Sequence, residues 1–299
     1  MIARFVETDG RVVANASLPG TRLWWLELDV DPDRFPAPEP GQFVMLTPPG
    51  SAAAGLLLPR PFSIARAWTA AGRRRLGFLY TRVGRGTDLM SRAAVSPPGA
   101  GGFRVLGPLG RGFPTGGSGP ALLVGGGRGT APLVLLAEVL EARDREVHFL
   151  VGARGAADFA GPREMGAELG RTRVWEASED GSRGHRGRIL DLFEREGALA
   201  RALEEPGAEL FACGPHGLLA AVDGLGARHG CATFTSIEAH MACGTGICRS
   251  CVVPRSAGGP PPPRGANPDY LIACVEGPVV RGAAVDWARD RETVSGGVA

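Results

Sequence analysis

Ala121-Leu122-Leu123-Val124-Gly125-Gly126-Gly127-Arg128-Gly129-Thr130-Ala131-Pro132 is the stretch that decides the fold. The four apolar residues read as a short buried strand, and the glycines read as a tight turn. Pro132 suits the first turn of a helix, which the pattern carries to about Ala142. Gly125, Gly126, Gly127 and Gly129 let the backbone approach a pyrophosphate at a helix N-terminus, where anions are favoured. Thr130 stands where a third glycine of G-x-G-x-x-G would fall, so the turn alone also reads as a plain strand–helix connection.

Downstream, Glu146–Val151 and Glu209–Ala212 read as strands, while 190–203 and 217–229 read as helices. This alternation predicts an α/β domain with a parallel sheet over residues 116–230. Phe211-Ala212-Cys213-Gly214-Pro215-His216-Gly217 is a second strand-to-helix turn. Cys213, Gly214 and Pro215 thus sit at a strand's C-terminal end, where such sheets bind ligands. Cys213 reads equally as a small buried residue. Arg154, just after the second strand, can meet a 2′-phosphate or face solvent, which leaves NAD against NADP open.

Upstream, residues 1–115 are β-rich. Arg22–Leu28, Gln42–Leu46 and Leu76–Val83 read as short strands with Gly/Pro punctuation, a pattern that predicts an antiparallel β-barrel. Within it lies Arg60-Pro61-Phe62-Ser63. An arginine held by a proline can make bidentate contacts with a flavin pyrophosphate, and a serine can hydrogen-bond near a reactive flavin nitrogen. Val83-Gly84-Arg85-Gly86-Thr87 offers small backbone groups suited to phosphate. Both segments also read as an ordinary turn and strand end.

Residues 231–299 form a cysteine-rich module interrupted by Pro260–Pro263. Cys243, Cys248, Cys251 and Cys274 have the spacing C-x4-C-x2-C with a last cysteine 22 residues on, and the first three match the plant-type [2Fe–2S] pattern. Two irons bridged by sulfides need four thiolates at tetrahedral corners. Gly244, Thr245 and Gly246 are small enough for one loop to supply three of them. A structural zinc site would instead pair its cysteines in two short spacers, and scattered buried thiols are a third possibility.

Bulk properties narrow the classes. The 299 residues suit two domains and a small third. The net charge of +2, with all 33 basic residues arginine, gives no reason to propose nucleic acid or an acidic membrane surface. No apolar run reaches the roughly 18 residues a membrane helix needs, and the start lacks a signal-peptide core. The expected address is cytoplasmic, where clustered thiols read as metal ligands before disulfides.

Together these segments resemble the ferredoxin-reductase superfamily, in which a flavin barrel precedes a nicotinamide domain. Within it, Pro40–Phe43, Arg60–Ile64, Val83–Thr87, Gly107–Phe113, Glu179–Gly187 and Glu238–Cys251 are similar to the electron-transfer subunits of bacterial two-subunit, NAD-dependent dihydroorotate dehydrogenases. The resemblance runs from about residue 10 to 285. It implies FAD contacts at Arg60, Pro61, Phe62, Ser63, Leu79, Tyr80, Thr81, Gly86 and Thr87. It implies a [2Fe–2S] cluster on Cys243, Cys248, Cys251 and Cys274, and NAD as substrate at the two turns of the α/β domain. It also implies a catalytic dihydroorotate dehydrogenase subunit as partner, in a heterotetramer of two plus two, and a place in pyrimidine biosynthesis. Thr81 departs from the family's usual arginine, and the stretch between Cys251 and Cys274 is longer. Sibling subunits with similar motifs serve sulfide dehydrogenases, hydrogenases or ferredoxins, so a reductase with another partner is the alternative enzyme reading. A zinc-bound interaction module is the non-enzymatic one.

Overall fold

A computed structural model describes residues 5–97 and 102–290. The N-terminal part is a curled antiparallel sheet of β1 (Val6–Ser17), β2 (Leu23–Val30), β3 (Phe43–Thr47), β4 (Arg60–Ser63), β5 (Arg66–Ala70), β6 (Arg73–Thr81) and β7 (Phe103–Leu109). The short helix α1 (Arg85–Ser91) follows β6. The order is β4-β3-β7-β1-β2-β6-β5. Closure comes from one bent segment: β4 pairs with β3, and three residues later β5 pairs with β6. Between them Ile64 N–H donates to Gln42 and Ala65 N–H to Gly77. A closed sheet leaves no edge for another chain to pair with.

Side-chain alternation fills the barrel. Leu76, Phe78 and Tyr80 of β6 point inward with Leu26, Leu28, Val44, Leu46 and Phe103, all nearly fully buried. Each such side chain stabilises the fold by about 1.5–3 kcal/mol through burial. Leu79, on the other face of β6, instead joins an apolar cluster with Phe113, Leu123, Phe149 and Phe211. The barrel therefore packs on the second domain through its outer face. The Arg66–Glu138 ion pair (2.8 Å) crosses the same junction.

The second sheet contains β8 (Ala121–Gly126), β9 (Val147–Ala153), β10 (Arg173–Ser178), β11 (His185–Arg186), β12 (Glu209–Cys213) and β13 (Ala232–Ser236). Helix α2 (Ala131–Glu141) follows β8, α3 (Leu192–Arg195) and α4 (Gly197–Glu204) precede β12, and α5 (His216–His229) follows it. Its order is β11-β10-β9-β8-β12-β13, all parallel, so the direction of strand addition reverses between β8 and β12. That reversal opens a crevice beyond the carboxyl ends of these two strands.

Two expectations need correction. The helix expected over 190–203 is broken, because Glu196 is extended and Gly197, a poor helix former, begins a new helix. The boundary expected at residue 230 falls too early, since β13 belongs to the parallel sheet. The C-terminal module then forms a two-stranded ladder, β14 (Val252–Pro254) with β15 (Tyr270–Ile272), followed by α6 (Ala273–Glu276). Its β16 (Val279–Arg281) pairs antiparallel with β13 and extends the nicotinamide-type sheet. Among the described residues, no helix is long and apolar enough to cross a membrane.

Candidate functional site

The loop from Cys243 to Cys251 has no regular secondary structure, and two glycines set its path. Gly244 and Gly246 have φ of 74° and 83°, a region that side chains disfavour. The turns aim backbone N–H groups at sulfur. Thr245 and Cys248 N–H reach Cys243 Sγ at 3.4 and 3.5 Å, Gly246 N–H reaches Cys274 Sγ at 3.1 Å, and Cys274 N–H reaches Cys251 Sγ at 3.4 Å. Burial opposes ionisation of Cys243, but the N–H donors of Cys248 and Thr245 bring its thiol down to about 6. A hydrogen bond from Cys274 brings Cys251 down to about 6, and that same bond, with burial, pushes Cys274 up.

The loop therefore brings Cys243 beside Cys248 and Cys251 beside Cys274, and Cys243 acts electrostatically on both members of the second pair. Cys243, Cys251 and Cys274 compete for protons, and Cys248 lies beside the first of them; among the described residues no three thiol, imidazole or carboxylate groups stand within reach of one metal ion. The division of the four cysteines into two pairs fits two irons, each taking two thiolates, and the N–H groups aimed at sulfur are the kind that tune such a centre. Cys248 is exposed, so one ligand lies at the surface.

This loop rests on the barrel. A β-carbon on Gly244 would lie 2.6 Å from Met45 Cγ, and Cys251 and Cys274 share an apolar cluster with Phe43, Met45 and Leu109. In the β3–β4 ladder, Phe43 lies opposite Ser63 and Met45 opposite Pro61. Directly opposed residues point to the same face. Ser63 and Pro61 thus share the face that carries the cysteine loop, while Arg60 and Phe62 point the other way. Arg60 packs its guanidinium on Gly86 of α1, where a β-carbon would overlap it. Thr87 Oγ1 accepts N–H bonds from Val83 (2.8 Å) and Gly84 (3.2 Å), which fixes the turn before α1.

The structure thereby brings Arg60, Pro61, Phe62, Ser63, Gly86 and Thr87 to one end of the barrel. Leu79, Tyr80 and Thr81 lie on β6 and divide. The Tyr80 ring is buried, its hydroxyl donates to Asn15 Oδ1 at 2.8 Å, and burial pushes its pKa up. Its side chain is thus committed to the barrel interior, while Leu79 and Thr81 point outward.

The two strand-to-helix turns also meet. Gly125 lies opposite Cys213 in the β8–β12 ladder. Gly129 packs so closely on the Cys213 carbonyl and Gly214 Cα that no β-carbon fits, and Gly126 lies against Pro215 and Leu218. The glycines are needed for interlocking as much as for ligand approach. The Cys213 thiol is buried, and burial pushes it up to about 12, so it is neutral and inert. Motif reading missed the apolar seat of the cysteine loop, Phe43, Met45 and Leu109. Only the alternation within Gln42–Leu46 hints at it.

A family model described as the iron–sulfur cluster binding domain of dihydroorotate dehydrogenase B matches residues 238–286, and an oxidoreductase NAD-binding domain matches 123–224. The chain is 36% identical over 252 residues to the dihydroorotate dehydrogenase B (NAD(+)) electron transfer subunit of Geobacillus thermodenitrificans, covering 83% of this chain and 86% of that one. It is 34% identical over 245 residues to the subunit of the same name from Listeria monocytogenes, covering 81% and 85%.

The chain belongs to this family. The dihydroorotate dehydrogenase B electron-transfer subunits thus account for the iron–sulfur loop and the nicotinamide-type domain together. A solved NADH-dependent reduced ferredoxin-NADP oxidoreductase superposes with a TM-score of 0.76 over 96% of this chain and 93% of that one, at 24% identity. The ferredoxin reductase of carbazole 1,9a-dioxygenase gives 0.61 over 77% and 68%, at 22% identity. Both show the ferredoxin-reductase fold.

Proposed function

We propose that this chain is the electron-transfer subunit of a cytoplasmic, NAD-linked dihydroorotate dehydrogenase. It passes electrons between a dihydroorotate-oxidising catalytic subunit and NAD+ in pyrimidine biosynthesis, within a heterotetramer of two plus two. The observation that carries this reading is the seating of the cysteine loop on the barrel face that also bears Ser63. A flavin, when bound, exchanges two electrons with a nicotinamide and single electrons with an iron–sulfur centre, so it belongs between the two.

Cys243, Cys248, Cys251 and Cys274 hold the cluster, and the N–H groups of Thr245, Gly246, Cys248 and Cys274 compensate the charge on the sulfurs. Arg60 offers its guanidinium to the FAD pyrophosphate, with the small residues Gly86 and Thr87 beside it. Ser63 supplies a hydroxyl for the flavin ring, with Pro61 and Phe62 shaping the wall. Thr81 faces outward for contact, while Leu79, whose side chain packs at the domain junction, and Tyr80, which braces the barrel, contribute through their backbones. Gly125, Gly126, Gly127 and Gly129 open the pyrophosphate crevice of NAD, and Gly214 and Pro215 form its far wall. Cys213 serves there as a small, uncharged residue.

Cys248→Ser in the assembled complex tests the reading. It should abolish dihydroorotate-dependent NAD+ reduction while leaving NADH oxidation by artificial acceptors largely intact. Equal loss of both would contradict the placement of the cysteine loop on the partner side of the flavin.

A further inference from the structure

The two large domains meet along α2. Leu135 and Val139 of that helix pack into the apolar cluster of the barrel. Glu138 falls on the same helix face, at the spacing that makes neighbours on a helix surface. Apolar burial is non-directional, so these contacts hold the domains together without fixing the angle between them. The glycine turn at Gly125–Gly129 leads into the other end of α2, about 10 Å from Glu138 along the helix axis. A small rotation of α2 on the barrel therefore displaces that turn.

One side chain supplies direction. Arg66 of β5 donates from Nε to Glu138 Oε1 at 2.8 Å, and from Nη1 to the carbonyls of Met165 (3.3 Å) and Gly166. A planar guanidinium held at three acceptors constrains rotation as well as distance. Burial pushes the Glu138 carboxyl above its ordinary range and Arg66 opposes that, so the carboxylate depends on this cation. Arg66 thus ties two separate parts of the α/β domain to the barrel: α2, and the loop between β9 and β10. That loop is itself firmly held. Phe159, Ala160 and Met165 are almost fully buried, and Arg183 stacks 3.9 Å over Phe159 while pairing with Glu164 at 2.7 Å. A second ion pair across the junction, Arg22 with Asp158, has an arginine 66% exposed, and exposed pairs contribute little.

We propose that Arg66 is a positioning residue for hydride transfer: its grip on α2 and on the β9–β10 loop sets the angle at which the nicotinamide meets the flavin. The step it serves moves one hydride from NADH to oxidised flavin, or from reduced flavin to NAD+, and needs no further reactant. Binding of the nucleotide depends on a crevice within one domain, whereas transfer depends on the alignment of two. Arg66 therefore acts on rate and not on affinity. This inference rests on the nicotinamide and flavin reading above.

The test is anaerobic stopped-flow reduction of the flavin by NADH in the assembled complex. It yields the limiting rate at saturating NADH and the half-saturating concentration, with FAD content and thermal unfolding measured alongside. In Arg66→Gln the limiting rate should fall about tenfold or more, with half-saturation within about twofold of wild type. Arg66→Lys keeps the charge but not the fork, and should also slow the step. Glu138→Gln should slow it too, and the double variant should be no slower than Arg66→Gln alone, because both changes act through one contact. Arg22→Gln should leave the rate unchanged. A wild-type limiting rate in Arg66→Gln and Arg66→Lys, whatever the loss in melting temperature, would overturn the assignment, as would equal slowing in Arg22→Gln. Failure of the underlying reading is separately visible, because NADH would then not bleach the flavin of the unmodified complex.

Discussion

Gly86→Ala should separate fold stability from FAD affinity. Gly86 lies in the first turn of α1, where alanine is favoured over glycine by about 0.8–1.0 kcal/mol. The new methyl group would overlap the Arg60 guanidinium, which is the free end of a flexible side chain and can swing away. Swinging away breaks the Arg60 Nη1 bond to Leu58 O (3.0 Å), a loss of about 0.5–1.5 kcal/mol. The two effects nearly cancel, so the apoprotein should melt close to wild type. FAD binding has no such offset. A displaced guanidinium forfeits charge-assisted bonds of about 1.5–3 kcal/mol, which is about 10–150-fold in Kd. The assay is flavin-fluorescence titration of apoprotein, with thermal unfolding measured in parallel. In an Arg60→Ala background, Gly86→Ala should cost nothing further, because the two changes act through one contact. Additive losses, or wild-type FAD affinity in Gly86→Ala, would refute the role given to Arg60.

Other perturbations follow from the same packing. Gly129→Ala drives a β-carbon into the Cys213 carbonyl and Gly214 Cα, a backbone clash that should cost about 1–3 kcal/mol in thermal unfolding and raise KM for NADH; an unchanged melting temperature would count against the interlocked turns. Arg255 donates through Nε to the carbonyls of Asn267 and Tyr270 and pairs with Glu276 near the cluster helix. Arg255→Met leaves the half-buried Glu276 carboxylate with the Ile272 N–H but without its cation, so a loss of about 1–3 kcal/mol and of bound iron is expected, and iron retention at wild-type stability would contradict it. Cys213 is held protonated up to about pH 12, against an ordinary thiol value of 9.0. Its raised value means the folded state keeps a proton that the unfolded state releases. Stability is therefore full below about pH 9 and falls above it, by up to about 1.4 kcal/mol per pH unit from this group. Urea unfolding at pH 8 and pH 10 should show a smaller drop for Cys213→Ala than for wild type, and equal drops would be inconsistent with a buried thiol.

What could be read without coordinates was local chemistry. The cysteine spacing is legible because three ligands must come from one tight loop, and Gly244 and Gly246 are the residues such a loop requires. The turns after β8 and β12 are legible for the same reason. Long-range pairing is not. β13 is short and rich in threonine and serine, and its place in the parallel sheet depends on β12 at one side and β16 at the other. β16 follows the last cysteine and gives no local sign of belonging to a different sheet. The division of Leu79, Tyr80 and Thr81 between two faces of β6 depends on which face is inward, and Asn15, 65 residues away, supplies the partner that holds Tyr80 inside. The proline-rich insertion carries no motif that names its partners, and Arg255 ties its far end through the carbonyls of Asn267 and Tyr270.

The most direct test is iron and sulfide analysis with EPR on the anaerobic complex before and after adding dihydroorotate. One [2Fe–2S] centre per chain, reduced by dihydroorotate and missing in Cys248→Ser, is the expected outcome. Zinc in place of iron, or an iron centre that NADH reduces but dihydroorotate does not, would contradict a relay running from the partner subunit through these four cysteines.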